Sequence, residues 1–153
     1  MNNGGKIMCK AAEVGKIVVN KCLSANLSIN TQKLQKLLVL MQVECIKQSG
    51  KPLFKEDVRV WSCGVAIKEV DNEFSCFGEG FTQKLNENIA LLEIENSCVD
   101  SIINQYGNMD FFELNALPVI QKVILLGAIP EGATVPHISY QILMGAFDCH
   151  DTN

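Results

Sequence analysis

The stretch TQKLQKLLVLMQVECIKQSGKPLFKEDVRVWSCG, residues 31–64, decides how this chain folds. Its first half carries hydrophobic residues at helical spacing, on one face: Leu34, Leu37, Leu38, Met41 and Cys45. Asn30 or Thr31 suits the N-cap of this helix. Gly50, followed two residues later by Pro52, suits its end. The first half of the stretch therefore predicts one long helix that stops at a turn.

The second half of the stretch is extended in character. Val58 and Val60 alternate with charged residues before Trp61, the only tryptophan, so a short strand competes there with a helical turn. Hydrophobic spacing, capping residues and glycines predict further helices at 7–23, 65–77, 87–106, 110–117, 118–126 and 139–147. We expect a mainly α, single compact bundle-like domain over residues 1–153. It should have six or seven helices, at most one short strand pair, and frayed ends at 1–6 and 148–153.

The composition limits the class of protein. Hydrophobic residues make up 48% of the 153 residues and charged residues 20%, as in one ordinary globular domain. The net charge of −4 argues against broad nucleic-acid binding and against an anionic membrane surface. No apolar run is long enough for a membrane span. The seven cysteines contain no C-x-x-C pair and only two histidines accompany them, which predicts no metal, no cofactor, no structural disulfide and a cytoplasmic location.

Motifs for catalysis are missing from the sequence. It has no G-x-x-x-x-G-K-[ST] phosphate loop, no G-x-S-x-G elbow and no H-E-x-x-H pair. A Cys–His nucleophile would depend on His137, beside a proline, or on His150, close to the last residue. Acid pairs such as Glu69 with Glu73 are typical of the solvated face of a helix. We therefore expect a protein that is not an enzyme.

Several short motifs occur together in a fixed order. They are Lys33-Leu34-Gln35-Lys36-Leu37-Leu38, Gly50-Lys51-Pro52-Leu53-Phe54, Trp61-Ser62-Cys63-Gly64, Tyr106-Gly107 and Phe112-Glu113-Leu114. In this order and spacing the chain resembles the SocA-like, or Panacea, antitoxin domain family, which includes GepA-like phage proteins, over nearly its whole length. It is identified as a diverged member, because the family's Gly-Pro-Val is Gly64-Val65-Ala66 here. A later His and Pro-Trp pair of the family is also replaced, around residues 117–124.

The resemblance implies a non-catalytic protein-binding module that neutralises a protein toxin by direct, stoichiometric contact. Replacing the family's proline frees a backbone N–H, and we expect the following helix to begin earlier and to display new side chains. We therefore predict that the partner-binding residues lie in the turn and helix after Trp61: Gly64, Val65, Ile67, Lys68 and Asp71. Of these, Ile67, Lys68 and Asp71 should be displayed on the first turns of that helix.

The signature residues of the resemblance are mainly structural in our interpretation. They are Lys33, Leu34, Lys36, Leu37, Pro52, Trp61 and Gly64. Lys33 and Lys36 are interpreted as the solvated face of their helix. Trp61 is interpreted as an anchor of the core, together with Leu34, Leu37 and Leu38, and Gly64 as the site of a tight turn or close approach.

Two further functional hypotheses remain open from the sequence. Family members occur in phages and prophages, so a copy without a toxin would act as an inhibitor of a host defence protein such as a CRISPR nuclease, in the manner of an anti-CRISPR. Its acidic charge would suit a nucleic-acid channel. A hydrolase or nuclease is disfavoured because the sequence lacks the sets of metal-binding residues that such enzymes use. A homo-oligomer is compatible with the sequence.

Overall fold

Helices dominate the computed structural model, which describes residues 8–62, 64–77, 80–128 and 137–147. Seven α-helices follow one another in this part of the chain: α1 Ala11–Ser24, α2 Thr31–Ser49, α3 Lys68–Phe74, α4 Glu93–Tyr106, α5 Phe111–Asn115, α6 Pro118–Leu126 and α7 Tyr140–Phe147. A 3-10 helix, Ser75–Phe77, continues α3. The predicted mainly α fold is confirmed, with the higher of the two expected helix counts. The predicted frayed ends lie outside the described residues.

Helix α2 is the centre of the fold, and local signals set both of its ends. The side chain of Asn30 accepts a hydrogen bond from the N–H of Lys33 at 2.8 Å, as an N-cap should. Gly50 ends the helix in the left-handed conformation, with φ of 74°, which costs a glycine little. The helix packs against all six other helices of the described residues, so that several of its polar residues are buried.

A small antiparallel sheet lies beside α2. Its strands are β1 Val58–Trp61, β2 Gly64–Ala66 and β3 His137–Ile138, in the spatial order β2-β1-β3. The predicted strand pair near Val58 is present, and a third strand joins it from far along the chain. Two residues carry no periodicity, so β3 is not visible in the sequence.

The helix after Trp61 begins later than its hydrophobic pattern predicts. It starts at Lys68, because Val65 pairs with Val60 in the sheet and Ala66 with Arg59. The expectation that the loss of the family's proline lets this helix begin earlier is therefore wrong. Residues 64–66 form the short strand β2 instead.

The helix predicted at 87–106 also begins later, at Glu93. The N–H of Leu92, the residue before the helix, donates to the carboxylate of Glu95 at 2.8 Å, which fixes this start. Residues 80–92 form a segment without helix or strand, named here the strap. The helix predicted from residue 110 begins at Phe111, where Asp110 and Glu113 form a capping box.

The core contains the predicted leucines but not the tryptophan. Leu34, Leu37 and Leu38 are fully buried, which confirms their prediction. Trp61 is only half-buried and lies outside the core cluster, so its interpretation as a core anchor is wrong. Successive side chains of a strand point to opposite faces, and here Val58 and Val60 are the residues that contact the core.

Candidate partner-binding surface

Two lysines of α2 are buried, contrary to their interpretation as a solvated face. Lys33 is 7% exposed, and its Nζ donates to the carbonyl oxygens of Ser28 at 2.7 Å and Gly107 at 2.5 Å. Lys36 is fully buried, and its Nζ donates to the carbonyl oxygen of Val65 at 3.0 Å. The helical pattern does not reveal this burial, because elements from elsewhere in the chain cover most of α2. Each ammonium group therefore joins α2 to backbone that is distant in sequence.

The environment of Lys33 combines burial with compensating groups. Burial lowers the pKa of this amine, while the nearby Cys22 thiol and Asp110 carboxyl act in the opposite direction. Its acceptor Gly107 directly follows α4, where a cation also interacts favourably with the helix dipole. Lys33 thus links the start of α2 to the end of α4.

Two glutamines of α2, which the sequence analysis did not single out, bind extended backbone. Gln35 accepts from the N–H of Ile67 at 2.8 Å and donates to its carbonyl oxygen at 3.3 Å. Gln42 accepts from the N–H groups of Leu53 and Phe54 and donates to the carbonyl oxygen of Phe54 at 2.9 Å. In the sequence they appear only as polar residues within a helix rich in leucine and valine, and nothing there shows that they are buried. These two glutamines therefore connect α2 to the extended segments at Leu53 and Phe54 and at Ile67.

The turn between β1 and β2 depends on Gly64. Its φ is 108°, and a Cβ there would lie 2.5 Å from Oδ1 of Asn115 in α5. The interpretation of Gly64 as a site of tight turn and close approach is confirmed by this geometry. Pro52, another signature residue, is half-buried next to Leu53 and Phe54, whose side chains enter the core.

The predicted partner-binding residues divide into buried and accessible ones. Val65 and Ile67 are fully buried, so the expectation that Ile67 is displayed on the helix surface is wrong. Ile67 precedes α3 and faces α2, where Gln35 holds its backbone. Lys68 is exposed and Asp71 is half-buried on α3. Only these two offer side chains to a partner.

Two aromatic residues belong to the elements that meet at this turn, Trp61 at the end of β1 and Phe112 on α5. Trp61 pairs with Gly64 across the β1–β2 ladder, and residues paired in this way project to the same face of the sheet. Gly64 lies directly against Asn115 of α5. Phe112, one helical turn before Asn115, is 72% exposed and stacks on Phe111 with ring centroids 4.2 Å apart. We call Trp61, Gly64 and Phe112 the turn surface.

The sequence was compared with models of known protein families. The family model for the antitoxin SocA-like, Panacea domain matches residues 34–118, just over half of the chain. The chain belongs to the SocA-like antitoxin family. No curated protein and no solved structure gives a significant match.

The family match covers the elements that build the turn surface. It runs from the body of α2 through the sheet turn at Gly64 to Pro118, directly after α5. Membership in the SocA-like family supports an antitoxin-like role and implies a protein partner. Within the described residues, no helix is long and apolar enough to cross a membrane.

Most of the described cysteines of this SocA-like domain lie in the core. Among the described cysteines, Cys9, Cys22, Cys45 and Cys98 are buried and Cys76 is exposed. Burial, reinforced by the neighbouring Cys98, raises the pKa of the Cys45 thiol to about 12. Within the described part of the chain, no group of three or more His, Cys, Asp or Glu side chains is placed to hold a metal ion. Cys63, Cys149 and His150 lie outside that part.

Proposed function

We propose that this SocA-like domain neutralises a protein toxin by forming a stoichiometric complex, without catalysis, in the cytoplasm. Family membership supports the antitoxin-like role. The observation that carries the proposal is the ring of Phe112, which is 72% exposed on a helix whose start is fixed by a capping box. Exposed aromatic side chains on a rigid backbone are suited to serve as anchors in protein interfaces.

The position of Phe112 favours a preorganised contact. Asp110 accepts from the N–H of Glu113 at 2.9 Å, and the Glu113 carboxylate accepts from the N–H of Asp110 at 2.9 Å. Phe111 supports the ring from one side. A ring held in this way loses little conformational entropy when a partner covers it, so more of the contact energy remains as affinity.

The partner surface in this proposal also includes Lys68 and Asp71 of α3. Both belong to the segment where the chain departs from the family's Gly-Pro-Val, and both reach solvent at least in part. Val65 and Ile67 lie beneath them and set the position of the backbone. Charged residues at the rim of an interface act mainly on specificity and association rate, while the aromatic centre dominates affinity.

The test pairs the protein with a small toxin encoded in the neighbouring reading frame. Co-expression should relieve growth arrest, and calorimetric titration should end at one equivalent. Phe112→Ala should weaken binding by about 30-fold, the effect of losing an anchor of about 2 kcal/mol. Leu125→Ala is the matched control, since Leu125 is also 72% exposed but lies on α6. Equal affinity of wild type and Phe112→Ala would remove the turn surface from the interface.

The charge reversal Lys68→Glu with Asp71→Arg tests the α3 part of the surface. It should slow association and change the melting temperature little, because Lys68 is exposed and Asp71 is only half-buried. Unchanged association would confine the interface to the turn surface. Neutralisation at far less than one equivalent would mean turnover and would defeat the non-catalytic proposal.

The alternative partner is a host defence protein such as a CRISPR nuclease, which a phage-encoded copy of this domain would inhibit. This partner would give a different result in the same assays. The protein would then bind the nuclease and inhibit cleavage of nucleic acid at one equivalent, and no toxin would be neutralised. That outcome keeps the binding module and replaces its partner.

A further inference from the structure

A groove beside α4 is lined by both polar and apolar side chains. It has a volume of about 690 Å³ and lies between α1, the strap and α4. Ile17 of α1 and Ile103 of α4, both more than nine-tenths buried, form part of its floor. Asn20, Asn96 and Asn104 line its walls. The buried hydrogen bonds of Lys33, Lys36, Gln35 and Gln42 described above do not involve residues of this groove.

One wall of the groove already shows how this protein holds extended backbone. The side chain of Asn20 donates from Nδ2 to the carbonyl oxygen of Leu85 at 2.8 Å, and its Oδ1 accepts from the N–H of Leu85 at 2.7 Å. Gln35 binds both backbone groups of Ile67 in the same manner. A carboxamide carries one donor group and one acceptor and so matches a single peptide residue.

The facing wall carries two carboxamides of the same type. Asn96 and Asn104 are exposed on α4, and within the described residues their side-chain amides make no hydrogen bond. They are eight positions apart, so they lie about 12 Å apart along the helix axis. An extended chain advances about 3.3 Å per residue, so two amides at this spacing match peptide groups about four residues apart.

The strap supplies a third set of hydrogen-bonding groups along the groove. Within the described part of the chain, the backbone groups of residues 86–91 form no hydrogen bonds. Ile89, Ala90 and Leu91 of this segment line the groove. Backbone that is accessible and lacks internal partners can bind another extended chain.

The charges lining the groove balance. Lys21 and Asp100 form an ion pair at 2.9 Å, and one further cation, Lys84, accompanies one further anion, Glu87. Neither an acidic nor a basic ligand is favoured by this arrangement. The lining complements an uncharged occupant with many backbone donors and acceptors.

We propose that this groove binds an extended, uncharged segment of the partner protein through the carboxamides of Asn96 and Asn104. The inference rests on the proposed function, since it names the form in which a protein partner is recognised here. Side chains of the bound segment alternate between the floor at Ile17 and solvent, and its peptide groups pair with the two asparagines. The turn surface and this groove are separate contacts.

A displayed random heptapeptide library supplies the probe. Peptides selected on the wild-type protein should be uncharged, and they should bind the double variant Asn96→Ala with Asn104→Ala at least about tenfold more weakly, because hydrogen bonds to two amides are lost. Alanine is the better helix former, so the variant keeps its fold. Asn72→Ala with Gln141→Ala is the matched control, with two exposed carboxamides removed elsewhere. It should bind as the wild type does.

The side-chain amide resonances of Asn96 and Asn104 report the contact directly. Both should shift on addition of a selected peptide, and N-methylation of the peptide amides should abolish binding. Selection of no such peptide, or equal affinity for both variants, overturns the inference.

The toxin assay separates this inference from the proposed function. If the wild type and the double variant Asn96→Ala with Asn104→Ala neutralise the toxin equally, the groove plays no part and the proposed function stands. If the wild type neutralises no partner, the proposed function itself fails.

Discussion

Nζ of Lys33 lies 2.5 Å from the carbonyl oxygen of Gly107, 74 residues further along the chain. The contact is buried and joins the start of α2 to the residue that follows α4. Both partners belong to motifs by which the chain resembles its family. These motifs therefore include a hydrogen bond that joins α2 to the end of α4. Variants that remove this bond should affect the stability of the fold before they affect binding.

Replacement of Lys33 by methionine should lower the free energy of unfolding by about 1–3 kcal/mol. The apolar stem is retained, but the carbonyl oxygens of Ser28 and Gly107 lose their donor. Urea denaturation measures the effect. Lys47→Met on the exposed side of the same helix is the control and should change stability by less than about 0.5 kcal/mol. Equal effects of the two variants would contradict the structural role of Lys33.

Gln42→Met should loosen the turn after α2 while leaving α2 itself intact. The amide of Gln42 binds the backbone of Leu53 and Phe54, and methionine has a similar length but no amide. Hydrogen exchange of the Leu53 and Phe54 amides should become at least about tenfold faster, because each loses its acceptor. Unchanged protection of these two amides would show that the glutamine does not hold the turn.

Gly64→Ala should destabilise the protein by about 1–3 kcal/mol. The backbone there has φ of 108°, and the added Cβ would lie 2.5 Å from Oδ1 of Asn115. The double variant Gly64→Ala with Asn115→Ala removes the close contact but retains the backbone strain. It should therefore be less destabilised than the sum of the single variants. The three variants are compared by thermal or chemical denaturation. If the stability losses of the two single variants simply add in the double variant, residue 64 and Asn115 are not in close contact.

Leu37→Ala should be more damaging than Trp61→Ala, although tryptophan is the larger side chain. Leu37 is fully buried, and truncation of such a residue costs about 2–5 kcal/mol. Trp61 is half-buried and outside the core cluster, so its loss should affect stability less. The denaturation midpoints of the two variants show which substitution is more destabilising. A lower midpoint for Trp61→Ala than for Leu37→Ala would support the interpretation of Trp61 as a core residue.

Alkaline pH should destabilise the protein through its buried thiols. The pKa of Cys45 rises from 9.0 to about 12 in the folded state, chiefly because of burial, so the folded state keeps a proton that the unfolded state has lost. Stability from this thiol is complete below pH 9 and is lost as the pH rises toward 12. The slope is at most about 1.4 kcal/mol per pH unit for one thiol.

The lowered pKa of Lys33 has the opposite effect on stability. Between the lowered pKa and 10.5 the unfolded state binds more protons at Lys33 than the folded state does, so stability from this group rises with pH. A comparison of wild type with Cys45→Ala therefore isolates the thiol. Under reducing conditions, the stability of the variant should fall less steeply between pH 9 and 11. Identical slopes would show that Cys45 ionises equally in both states.

The sequence by itself determined much of the local structure. The ends of α2 follow from Asn30 and Gly50, and the start of α5 follows from a capping box. The leucine stripe also identified the core face correctly, because a hydrophobic spacing of 3.6 residues marks the side of a helix that must leave water. These signals involve residues within about four positions of each other.

Only the tertiary structure decided the roles of Lys33, Lys36, Gln35 and Gln42. A single helical pattern shows which face is most apolar but not whether the opposite face is also covered. In this fold every other described helix contacts α2 and most of its surface is buried, so its buried polar side chains bind backbone that is distant in the sequence. The start of α3 and the place of Trp61 were decided in the same way, by pairing of strands. Such pairing is non-local, and its energy depends on partners that neighbouring residues in the sequence do not reveal.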